Sequence, residues 1–113
     1  MQRLPTRLVD GLQLTGAPVV YYTTPANTIT TISACTLTNT TGAAVIATMH
    51  LVPSGGTPTA ANMVLSSRTI AANESYNVGS AIGQTLAAGG TIQALAGAAA
   101  SITLVASGYA TNP

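Results

Sequence analysis

The chain has 113 residues, enough for one domain, and only five side chains with a formal charge: Arg3, Arg7, Asp10, Arg68 and Glu74. That is 4% where soluble domains carry about 25%, and lysine is absent, so general acid–base catalysis, hard-metal binding and phosphate recognition have few groups to use. A net charge of +1 and a pI near 7.9 argue against nucleic acid or an anionic membrane as partner.

A mean hydropathy of +0.44 reflects alanine and branched residues, and no apolar run approaches the roughly 18 residues that span a bilayer. Arg3 and Arg7 are not followed by the apolar run of a signal peptide, and Cys35 has no second cysteine to pair with, which fits synthesis in a reducing cytoplasm. The sequons at Asn39 and Asn73 then read as coincidence.

Thr, Val and Ile dominate the non-alanine positions, and turn residues recur at a spacing typical of an all-β sandwich or barrel. Residues 1–17 are irregular, interrupted by Pro5, Asp10-Gly11 and Gly16, and read as an extended arm expendable for folding, ahead of a sandwich domain over 18–113. Pro18–Thr23 predicts a short strand, with Tyr21 and Tyr22 facing opposite ways. Thr28–Thr38 predicts a longer one, whose apolar positions change parity between Ile32 and Cys35, the mark of a bulge.

Asn39–Gly42 predicts the turn of a hairpin into Ala44–Val52, where Val45, Ala47, Met49 and Leu51 share one face. A loop from Pro53 to about Asn62 precedes Met63–Ile70, in which Met63 and Leu65 oppose Val64 and Ile70. Ser75–Val78, a weak Ile82–Leu86, Thr91–Ala96 and Ser101–Tyr109 complete the set. Alanine favours a helix over 94–104, but Gly97 and Ile102-Thr103 oppose it. About eight antiparallel strands predict a jelly-roll-like β-sandwich with an extended N-terminal arm; an immunoglobulin-like sandwich would lack its Cys…Trp…Cys signature.

Open sheets need guarded edges, commonly by charge, and charge is scarce outside the arm. That scarcity predicts edges masked by neighbours in an obligate oligomer. Cys35 and His50, on strands expected to pair, could form a nucleophile couple, but no acid is placed to orient it. Asp10 and Glu74 are too isolated for a glycosidase pair, and no cluster of ligands offers a metal site. No catalytic residue and no cofactor are therefore expected. The candidate partner-binding residues are Arg3, Arg7 and Asp10 of the arm, as a latch, with Tyr21 and Tyr22.

Several segments in order carry a resemblance. They are Tyr22-Thr23-Thr24-Pro25-Ala26-Asn27-Thr28, Cys35–Gly42, Leu51-Val52-Pro53-Ser54-Gly55-Gly56, Ile70–Tyr76 and Leu86–Ala94. Over most of 18–109 the chain resembles small β-sandwich virion proteins of tailed bacteriophages, although Thr91 stands where many relatives carry a charge. The resemblance implies a non-enzymatic structural protein made in the host cytoplasm. Its expected role is a capsid decoration (cement) protein, a homotrimer on the major capsid protein. The alternatives are a tail, baseplate or fibre module on another virion protein, or a carbohydrate-binding module for host attachment.

Overall fold

Nine strands are divided between two antiparallel sheets in a computed structural model that describes residues 2–112, with side chains from 4 to 111. In chain order they are β1 (Gln2–Gln13), β2 (Val19–Thr23), β3 (Ile29–Asn39), β4 (Val45–Val52) and β5 (Met63–Ile70). Then come β6 (Ser75–Asn77), the two-residue β7 (Thr85–Leu86), β8 (Thr91–Ala96) and β9 (Ile102–Asn112). One sheet runs β1-β9-β3-β6, with β7 also on β3; the other runs β2-β8-β4-β5. The pairs β1·β9, β2·β8, β3·β6 and β4·β5 are nested like one long hairpin, and folding that hairpin over itself gives a jelly-roll sandwich. The strand over 91–96 and the one from Ile102 dispose of the helical alternative.

The interior follows from the period-2 patterning. Cross-strand rows Leu104–Leu37 and Val9–Ala106–Cys35 face inward from the first sheet. From the second, Ala47–Ala96 and Met49–Ala94 meet them, and the small alanines fill a thin core without Phe or Trp. The slab is correspondingly flat, 45 × 25 × 19 Å. Between the layers the Cys35 thiol lies 3.8 Å from Met49 Sδ.

The expected bulge in β3 is present: register shifts between Ile32 and Ala34, leaving Ser33 unpaired, so Ile32 and Cys35 both point inward. Opposite it, Gly108 pairs with Ile32, and a Cβ there would sit 1.9 Å from the Thr31 carbonyl oxygen, so no other residue fits.

Three expectations need correction. Residues 2–13 are no arm: they form β1, hydrogen-bonded to β9 along its length, and Leu8, Val9 and Leu14 are buried in the core. The segment reads as irregular because it is an edge strand with two register shifts, one at Gly11, whose φ of +104° suits glycine. Next, Asn39–Gly42 is not a hairpin turn. It carries the chain from one sheet to the other, since β3 and β4 lie in opposite layers. Asn39 makes that crossing possible: fully buried, its Nδ2 donates to Ala43 O and Ile70 O while its Oδ1 accepts from Thr41 N and Oγ1. Finally, β5 bulges at Ser66-Ser67, where Ser67 has φ +44°, so Leu65 and Ile70 face the core together.

Every edge carries a device against pairing. β1 has Pro5, two bulges and charges Arg7 and Asp10; β5 has its bulge and Arg68; β6 has three residues; β2 is short and bulged. Charge scarce overall is thus spent on the edges, and the edge argument for an obligate oligomer loses its premise.

Candidate functional site

The two sides of the sandwich, where a sheet edge from each layer meets, gather the residues singled out above. On one side β1 faces β2. Tyr21 donates from its hydroxyl to Gln13 O at 3.3 Å, and the Tyr22 hydroxyl shares a 2.8 Å hydrogen bond with Thr30 Oγ1 on β3. Both bonds run from one layer to the other. The expectation that the rings face opposite ways fails, because β2 shifts register between Val20 and Tyr22 and leaves both half-buried against the core. They are ties within the molecule.

Arg7 and Asp10 project from β1 as an open ion pair, Nη1 to Oδ1 at 4.0 Å, with both side chains well exposed. At such exposure the pair contributes little to stability. Arg3 follows on the same strand opposite Thr111; its side chain lies outside the described part. Beside this pair the side of the sandwich is apolar. Leu4 and Leu12 are each 49% exposed, Val20 48% and Val19 39%. Leu12 and Val19 pair with inward-facing Leu104 and Ala94, so they belong to the core by register and overhang it at the seam. Composition could not reveal this, since the same leucines would be buried in a central strand.

The opposite side, between β5 and β6, is closed differently. The Arg68 guanidinium stacks over the Tyr76 ring, 4.5 Å from its centroid, joining the layers by a cation–π contact.

The Cys35–His50 couple does not exist. Their strands are in different sheets, and burial pushes the Cys35 thiol up to about 12, which keeps it a neutral core residue. His50 is turned to the outer face of its sheet, where Nδ1 meets two acceptors, Thr59 O at 3.0 Å and Asn62 Oδ1 at 2.9 Å. Two acceptors require Nδ1 to carry the proton. The histidine thereby pins the loop over 53–62 against β4, with Asn62 Nδ2 donating to Thr57 O behind it. Asp10 and Glu74 lie at opposite edges, and Glu74 Oε1 accepts from Ala71 N within its turn, so no carboxylate pair forms. Among the described residues there is no group of three His, Cys, Asp or Glu placed to hold a metal, and no helix is long and apolar enough to cross a membrane.

The sequence did not reveal a cleft on the β5 side, about 430 Å³ in volume. It opens between the end of β4, the start of β5 and the segment 84–90 beside β7. Its polar rim includes Ser54, Gln84 and Thr85, over a floor of Leu51, Val64 and Leu86. No family model, curated protein or solved structure matches the chain.

Proposed function

We propose that the protein is a non-enzymatic structural component of a bacteriophage particle, a decoration protein that docks on the major capsid shell and holds it together. The observation that carries this reading is the β1–β2 seam, where Leu4, Leu12 and Val19 stand exposed at inward-register positions, with Val20 and the Arg7–Asp10 pair exposed on the outer faces that flank it. Exposed apolar side chains on two adjoining edge strands, flanked by a few charges, make a surface suited to lasting contact: an apolar centre with a polar margin. The order of Pro-, Gly- and Asn-rich turns between threonine-rich strands supports the assignment to virion proteins, and with it a trimer seated where shell subunits meet.

Attachment through such a seam depends on area removed from water, at roughly 25 cal/mol per Å² of apolar surface, and little on screened charge. The shell-bound protein is therefore expected to stay bound in molar salt. The discriminating experiment compares occupancy of wild type and a Leu12→Asp/Val20→Asp variant on purified shells by cryo-electron microscopy. Because Leu12 belongs to the core by register, the variant is first required to melt cooperatively as the wild type does; with the fold retained, the expected result is loss of its density from the shell. Equal occupancy, or release of the wild type by salt, would sink the proposal.

A further inference from the structure

The cleft beside β7 lies on the other side of the sandwich from the β1–β2 seam, and it is built differently. We propose that it is a binding site for an uncharged sugar ring, the terminal residue of a glycan. Its volume of about 430 Å³ lies within the usual range for small-ligand sites. Every residue lining it is uncharged, so neither a phosphate nor a carboxylate finds a counter-charge there.

The lining is divided as a sugar requires. Leu51 and Val64 are half-buried and Leu86 fully buried, giving an apolar floor for the C–H face of a pyranose. Around that floor stand exposed polar groups. Gln84 Nε2 donates to Ser80 O at 3.3 Å, which leaves its Oε1 as an acceptor, and the hydroxyls of Ser54 and Thr85 make no hydrogen bond among the described residues. A hydroxyl can donate or accept, so these three groups match the ambivalent hydrogen bonding of sugar hydroxyls.

The rim is also held in place. Ser80 Oγ donates to Val64 O, joining the two layers beside the cleft, and the histidine-pinned loop carries Ser54 from the other side. Gly89, at φ +84°, lets Ser54 approach: a Cβ there would lie 2.4 Å from Ser54 Oγ. The site is therefore largely preformed, which lowers the ordering cost of binding.

The test uses the full chain, isotopically labelled, titrated by NMR with galactose, glucose, mannose, N-acetylglucosamine and N-acetylgalactosamine, and separately with inorganic phosphate. At least one sugar should produce saturable shifts at Ser54 and residues 84–90, at millimolar concentration. A Ser54→Ala/Thr85→Val variant, altered only at exposed positions, should keep its spectrum elsewhere and bind that sugar at least about tenfold more weakly. Absence of saturable shifts with every sugar would overturn the proposal. So would affinity unchanged in the double variant, or phosphate moving the same resonances equally. Shell occupancy of the double variant should equal that of wild type, which separates this site from the docking seam.

Discussion

Single residues show how a chain almost without charge keeps its buried polar groups satisfied. Asn39 uses donor and acceptor together, so Asn39→Ala leaves Ala43 O and Ile70 O without their side-chain donor. The expected cost is about 2–4 kcal/mol in urea unfolding. Thr24 is the opposite case. Its buried hydroxyl has no partner among the described residues, so Thr24→Val, which keeps the shape, should leave stability unchanged or raise it by about 1 kcal/mol.

Cys35 adds a pH dependence. With its folded-state pKa raised from 9.0 to about 12, the unfolded chain loses the thiol proton first as pH rises. Between roughly pH 9 and 12 this group makes stability fall, by up to about 1.4 kcal/mol per pH unit, and below pH 9 it has no effect. Comparing urea midpoints of wild type and Cys35→Ala across that window isolates the contribution: the wild type should lose stability more steeply.

Among the elements, the strands from β2 to β9 were legible because branched residues alternate between turns, and the bulge in β3 was legible because its parity breaks at Ile32 and Cys35. β1 was not. Its Pro5, Gly11 and charges imitate a frayed end, and the same features protect an edge strand. The partner of each strand was also hidden, since patterning records which face is buried and not which layer a strand joins. Asn39–Gly42 looks the same as a hairpin turn and as a crossing between sheets. At the candidate site, tyrosine stood out by rarity, but the register shift in β2 that turns both rings toward the core leaves no trace in composition. The cleft was invisible for a related reason: its walls come from three separated segments. The ties across the layers can be tested directly. Tyr22→Phe should cost about 1 kcal/mol or somewhat more, because Thr30 keeps a buried hydroxyl with nothing to meet, while Arg68→Ala at an exposed edge should cost about 0.5–1 kcal/mol in the same assay.

At the scale of the whole molecule, β1 decides what truncation does. Removing residues 1–16 takes Leu8, Val9 and Leu14 from the core and bares the edge of β9, so the shortened chain should fail to give a cooperative thermal transition and should aggregate. A soluble, cooperatively melting product would contradict the strand assignment. The two sides of the slab also divide its surface chemistry. The seam between β1 and β2 is apolar with a few charges, and the cleft beside β7 is neutral with two hydroxyls free among the described residues, so the two proposed contacts fall on opposite flanks.

The nested pairing sets Gln2 directly across from Asn112, on neighbouring antiparallel strands. A tension applied to the two ends therefore loads the β1·β9 ladder as a zipper, rupturing one bond at a time and never shearing many together. In an optical trap the molecule should give way at low force when stretched from its ends, and resist far more when the same handles grip points along one strand axis. The fold thus has a direction in which it opens easily, and any assembly built from it would have to route mechanical strain away from that pair of ends.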